Sequence, residues 1–460
     1  MFTRSVPSAL AACLLIAAPS FAQRAQVPRW TETAWPLNKT VGPRVNPGAS
    51  REVLESLYQE VPLAIIRLKF ASWTLPPGTA VRLTSPKTQQ VVEMNAEALQ
   101  SWGGFTPMFS DDALFVELVA NPGAPAAGFV LASVNGIRME PWFPGTGPTD
   151  NICGTDDRTR SNATGVARFW VSGGLCTASL IATGDAAVSA GHCGNPTAGS
   201  FVEFDPPDSS PVGATILAPV ENQFPVDTSR VQRNFTWVFA PCPPPNQAQQ
   251  CIQSFGQDAL AFGLNRNTWG QSAGIRRGGH MRIARASTFT TDYSGTKWGC
   301  GTATGANNLT MKFLAGTVEG ARVNRDGGAY WKYSFDTTGG DSGGPLVHPT
   351  ISASLGVISS SGVTGCDSGA YAFSNAAFTT AIETLVNQGS SRFVDSFNIS
   401  APGETVGSIW APSTTFRSNA YDAVPTNGTV YVAPGTFAAG TVLSRPATIR
   451  APFGPVTLIP

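Results

Sequence analysis

The chain has 460 residues, enough for more than one hydrophobic core and best divided among two or three domains. Forty-eight glycines, 36 prolines and only 13% charged residues favour a β-rich, turn-rich protein over a helical one. Basic and acidic residues balance at 30 each with no lysine or arginine run, and no apolar run reaches the ~18–20 residues of a spanning helix. Nucleic acid, an anionic membrane surface and a membrane span are therefore not expected among its partners.

Residues 1–22 read as an export signal. Arg4 supplies the charge, Ala9 to Ala18 is apolar, and Ser20-Phe21-Ala22 offers small residues for cleavage. Leu10-Ala11-Ala12-Cys13 superficially resembles a lipoprotein cleavage box, but its apolar stretch mostly follows the cysteine, so secretion (extracellular or periplasmic) is the expectation. Export permits disulfides. Seven cysteines remain after Cys13, at 153, 176, 193, 242, 251, 300 and 366. Cys242 and Cys251 bracket a proline-rich segment and are expected to bridge locally, and one cysteine must stay odd.

Residues 23–49 are rich in proline, threonine and glycine and predict an extended linker. A short helix is expected from Ser50 to Val61, with Ser50 as N-cap and Val53, Leu54, Leu57 and Val61 on one face. Strands follow at Leu63–Phe70, where apolar and basic residues alternate from Ile66, then at Ala80–Thr84, Ala113–Ala120 and Gly128–Val134. Residues 50–148 thus predict an antiparallel β-sandwich with no histidine and no metal-ligand spacing, suited to folding or targeting. Residues 149–389 form the next unit. Strands are expected at Ala167–Val171 and Cys176–Thr183, and a helix at Asn375–Gln388 with Phe378, Ala381, Ile382 and Leu385 facing inward, Asn375 capping it and Gly389 ending it. Residues 390–460 predict a β-rich extension. Its Gly428–Phe437 and Ala447–Ala451 segments resemble one or two coils of a parallel β-helix, too few to bury a core alone.

Two motifs in the central unit carry chemistry. Gly339-Gly340-Asp341-Ser342-Gly343-Gly344-Pro345 sets a serine among glycines that let the backbone turn tightly and present the hydroxyl. The N–H groups of Gly340 and Ser342 then converge where a tetrahedral oxyanion needs donors. Ser189-Ala190-Gly191-His192-Cys193 provides the most distinctive of three histidines, the candidate base. Asp205, Asp208, Asp227 and Asp258 lie between them as candidate carboxylates. Asp258 opens the apolar run Asp258-Ala259-Leu260-Ala261-Phe262, whereas Phe235-Thr236-Trp237-Val238 has threonine where an acid would stand.

In this order the two motifs resemble the trypsin-like serine peptidases of bacterial exported type, over roughly Asn151 to Gly389. The resemblance implies an all-β fold: a double β-barrel peptidase preceded here by the β-sandwich and followed by the short β-rich extension. It implies His192 as base, Asp258 as its orienter, Ser342 as nucleophile, an oxyanion hole of Gly340 and Ser342, and a Cys176–Cys193 bridge. Asp336, six residues before the serine, falls at the base of the family's specificity pocket. Segment Leu355–Gly362, containing Ser359, resembles the strand that pairs with substrate backbone, and Gly369-Ala370-Tyr371 the segment that keeps the pocket open. Cleavage after lysine or arginine would follow from Asp336. Against this, Thr338 stands where the pocket disulfide needs cysteine, and Ser360 at the usual tryptophan site. Asp341 has two readings: partner of a new amino terminus near Ile152 after zymogen cleavage, or a carboxylate bonded within the barrel. Cofactors and metals are not expected; the partners are protein or peptide substrates. A rival function is a catalytically inactive homologue acting as an exported binding or adhesion protein.

Overall fold

The computed structural model describes residues 22–24, 28–139, 152, 155–171, 173–241, 250–285, 292–325, 328–362, 368–397, 404–440 and 442–460. Two closed six-stranded antiparallel barrels form its centre. The first runs Val166–Val171, Gly174–Leu180, Ala186–Ala190, Asp258–Leu264, Gln223–Phe235 and Phe201–Phe204, which pairs back onto the first strand. The second runs Ala353–Gly362, Pro345–His348, Tyr293–Gly299, Lys312–Arg325, Gly328–Tyr333 and Ser368–Ala372, which closes onto Ala353–Gly362. The chain is mostly β, and its central fold is the double barrel.

Strand Val166–Val171 shows why the core sits where it does. Ala167, Phe169 and Val171 point into the barrel, while Trp170 points out, yet all are buried. The outer face is covered by the N-terminal sandwich, so the strand is apolar on both sides and shows no alternation. Trp170 stacks on Phe201 at 5.7 Å between ring centroids and meets Trp30 of the sandwich at 5.8 Å. Arg67 donates to the Gly199 carbonyl at 2.8 Å across the same boundary. Sandwich and first barrel therefore share one apolar core.

The sandwich has a three-stranded sheet of Trp30–Arg44, Ala127–Met139 and Ile66–Thr74, and a four-stranded sheet of Glu52–Glu60, Ala113–Ala120, Thr79–Thr84 and Val91–Met94. Two expectations are corrected here. The segment predicted as a linker contains the 15-residue strand Trp30–Arg44, paired with Ala127–Met139 through register shifts at Pro36/Lys39 and Val41/Arg44. The helix predicted from Ser50 is the strand Glu52–Glu60. A register shift between Val53 and Glu55 opposite Ala113–Ala120 turns both Leu54 and Leu57 toward the core. That bulge gives a strand the three-residue apolar spacing of a helix.

The helix Ala376–Leu385 buries Phe378, Ala381, Ile382 and Leu385 against the first barrel. Asn375 does not cap it with its side chain; its amide instead bonds Ala329. Gly389 lies beyond the helix in the 3-10 turn Gln388–Ser390. The C-terminal extension is a parallel stack: Ser391–Val394, Thr429–Val432 and Thr448–Arg450 form one ladder, Gly435–Ala438 and Val456–Ile459 another. A small core of Phe416, Tyr421, Val430, Val432 and Phe437 lies inside it. Among the described residues no helix is long and apolar enough to cross a membrane.

Candidate active site

His192, Asp258 and Ser342 meet between the two barrels. Strand Ala186–Ala190 ends at a 3-10 turn, Gly191–Cys193, that carries the histidine. The neighbouring strand, paired Ala190↔Ala259, begins with Asp258, so strand register alone sets the carboxylate beside the imidazole. One Asp258 oxygen accepts the His192 backbone N–H at 2.6 Å, and the other lies 2.9 Å from Nδ1. The Ser359 hydroxyl also donates to Asp258. His192 Nε2 is 2.8 Å from Ser342 Oγ. All three side chains are buried, which strengthens each of these polar contacts. The Cys176–Cys193 disulfide, S–S 2.08 Å, ties the histidine turn to the neighbouring strand.

The loop of Ser342 depends on two glycines with positive φ. At Gly340 (φ +98°) a Cβ would lie 2.6 Å from the Cys300 carbonyl oxygen. At Gly343 (φ +84°) it would lie 2.1 Å from Ser189 Oγ and 2.2 Å from the Thr177 carbonyl oxygen. The Gly339 carbonyl accepts from the Thr302 N–H at 2.8 Å, and the Gly340 carbonyl from Thr177 Oγ1 at 2.8 Å. A trans peptide directs the Gly340 N–H opposite to the Gly339 carbonyl. Among the described residues no acceptor takes the Gly340 or Ser342 N–H. Both N–H groups are thus left without a protein acceptor, as the donors to an oxyanion must be.

Asp341, next to the serine, is bonded within the second barrel. Its carboxylate accepts from Lys297 Nζ at 2.8 Å and from the Thr338 N–H at 3.0 Å, with Arg158 Nη1 at 3.4 Å. Burial alone would raise its pKa. The Lys297, Arg158 and Lys312 cations outweigh that and hold the carboxyl well below its usual range. In the uncleaved chain Asp341 is thus bonded within the barrel, with Lys297 as its nearest cation.

The remaining candidates take other places. Asp205 pairs with Arg277, Asp208 with Arg160 at 2.7 Å, and Asp227 bonds the Ser229 hydroxyl and N–H. Asp336 is buried, with the Asp157 N–H 3.4 Å from its carboxylate. Gly369 pairs with Ser360 and Lys332 at the closure of the second barrel. His280 stacks on Phe453 at 4.4 Å and His348 packs on Tyr293 at 4.3 Å, both away from Ser342. Cys242 lies outside the described residues, as do Cys153 and Cys366. Cys300 is a free buried thiol, and burial pushes its pKa up to about 12. No group of three His, Cys, Asp or Glu among the described residues is placed to hold a metal.

Sequence reasoning missed the aromatic wall behind the imidazole. Trp237 stacks on His192 at 5.5 Å and donates its indole N–H to Tyr330 Oη at 3.0 Å. Burial, then the Asp258 charge, push the Tyr330 phenol up, so it stays neutral beside the site. A signal was present: Phe235 pairs directly with Asp258, and Trp237 follows two residues later. The segment with threonine where an acid would stand packs against the histidine.

Neither a family model nor a curated protein matches the chain. Solved structures similar to it include the protease Anisep from Arthrobacter nicotinovorans, at 17% identity and TM-score 0.34, covering 50% of this chain and 98% of that one. HL collagenase matches at 14% identity and TM-score 0.35, covering 50% and 96%. A thermostable serine protease, AL20, from an extremophilic microorganism matches at 18% identity and TM-score 0.30, covering 45% and 88%.

Proposed function

We propose that the protein is a secreted serine endopeptidase acting through an acyl-enzyme. The observation that carries this reading is the unbroken chain of contacts Asp258–His192–Ser342, at 2.9 and 2.8 Å, beside two N–H groups without acceptors. Ser342 Oγ attacks the peptide carbonyl as its proton passes to His192 Nε2. The carbonyl oxygen, now an anion, is held by the Gly340 and Ser342 N–H groups. Asp258, anchored by the His192 backbone and by Ser359, keeps Nδ1 protonated and stabilises the imidazolium. His192 then gives its proton to the leaving amine, and a water attacks the ester by the same route in reverse. Trp237 shields the imidazole from solvent, and no step calls on a cofactor.

A preference for lysine or arginine before the scissile bond is the finer part of the proposal and rests on Asp336, a buried carboxylate six residues before the nucleophile. The Lys297–Asp341 pair of the uncleaved chain supports activity without cleavage at Ile152. The test is peptide-library cleavage read by mass spectrometry, comparing the protein with Ser342→Ala. Cleavage lost in the variant is the expected result, and its position reports on Asp336. Identical profiles from both proteins would sink the peptidase reading in favour of an inactive binding protein.

A further inference from the structure

Strand Ala22–Arg24 is not part of the sandwich. It lies antiparallel to the end of Ala353–Gly362, with Ala22 opposite Gly362, Gln23 opposite Ser361 and Arg24 opposite Ser360. Its other edge pairs with Gln250–Ser254, Gln23 opposite Cys251. The chain therefore fills a slot between two strands and runs toward Ser359, whose hydroxyl holds Asp258. It is tied down again on the far side of the site. The Leu175 N–H donates to the Pro28 carbonyl at 2.8 Å, Arg29 bridges Gly174, and the Trp30 N–H donates to Gly173 at 2.9 Å. Leu175 precedes Cys176, which is bonded to the cysteine after His192, and the Thr177 N–H donates to the Ser342 carbonyl at 2.8 Å. The four Cα steps from Arg24 to Pro28 reach at most about 14 Å.

We infer that the N-terminal segment is an intramolecular pseudo-substrate, its strand Ala22–Arg24 seated in the groove in which the enzyme takes extended peptides and Pro28–Trp30 held beside the histidine strand. This rests on the peptidase reading above. A peptide substrate held by strand addition needs the free backbone groups of Ser360, Ser361 and Gly362. The N-terminal strand already holds them. Trp30, buried between sandwich and barrel, anchors the segment close to the groove. A short tether of this kind gives an effective concentration in the millimolar range, enough to compete with peptides that bind through backbone pairing alone. Removal of an export signal after Ala22 would leave Gln23 and Arg24, so the inhibitor would survive export. Control of the site would then reside in this segment, not in a new amino terminus at Ile152.

The test compares the full chain with two variants, deletion of residues 23–29 and Gln23→Pro, the latter removing the N–H at the position paired on both edges. Ser342 labelling by a fluorophosphonate should be about tenfold faster in both variants. A synthetic peptide of residues 22–30 should slow the deletion variant competitively. Amide exchange at Ser360–Gly362, measured in parallel, should be slow in the full chain and faster in both variants while the melting temperature stays unchanged. Equal labelling rates together with equal exchange at Ser360–Gly362 would overturn the inference. If no form labels but exchange still differs, the segment occupies the groove and the peptidase reading fails instead.

Discussion

Gly340 illustrates how much one residue can decide. Its positive φ is a conformation that favours glycine, and any Cβ would collide with the Cys300 carbonyl at 2.6 Å. Gly340→Ala should therefore rotate the peptide out of the oxyanion site and leave His192 and Ser342 in place. We expect kcat to fall by about 10²–10³ with little change in KM, checked by steady-state kinetics on a peptide ester. Lys297 is a second such residue. Its ammonium and the Asp341 carboxylate are both buried, so Lys297→Met leaves a buried anion without its nearest cation. The expected loss is about 3–5 kcal/mol, measured by urea unfolding. Because the folded-state pKa of Asp341 is depressed, its contribution is present above the ordinary carboxylate range and lost as pH falls toward the folded value. In Lys297→Met that protonation occurs at higher pH, so the acid-unfolding midpoint should move upward.

Among the elements, the helix Ala376–Leu385 and the strand Glu52–Glu60 make an instructive pair. Both carry apolar residues three apart. In the helix, Phe378, Ala381, Ile382 and Leu385 form a real stripe against the first barrel, and the sequence pattern and the structure agree on it. In the strand, the same spacing comes from a bulge imposed by the partner strand, which no local pattern records. Phe378→Ala should cost about 3–5 kcal/mol, visible as a shift of the denaturation midpoint. Strand Trp30–Arg44 was illegible for a related reason. Its exposed faces and its Pro36 and Pro43 read as linker, and only pairing with Ala127–Met139 makes it a strand.

For the molecule as a whole, the decisive feature is the core shared by the sandwich and the first barrel. Trp30 and Leu68 from one side meet Trp170, Leu175 and Phe201 from the other. Burial of rings this large dominates local energetics, at roughly 150–250 Å² each. The two units should therefore unfold together, as a single calorimetric transition spanning both. Two separated transitions would show that the sandwich is an independent attachment. Across the same shared surface the sandwich covers Trp170 and Phe201, which would face water without it.

What the sequence alone determined is local chemistry. The serine among glycines, the histidine before a cysteine and the aspartate opening an apolar strand are all legible, because each depends on neighbours within a few residues. The tertiary structure decided everything that depends on what lies opposite. Lys297 stands 44 residues from Asp341, and Trp237 lies 45 residues beyond His192. Ser359 reaches Asp258 across the interface between the barrels. Arg24 and Ser360 are separated by most of the chain. Such pairings are set by barrel closure and strand register, which bring distant residues together through main-chain hydrogen bonds that every residue but proline can make in full, and so leave no mark in the local sequence.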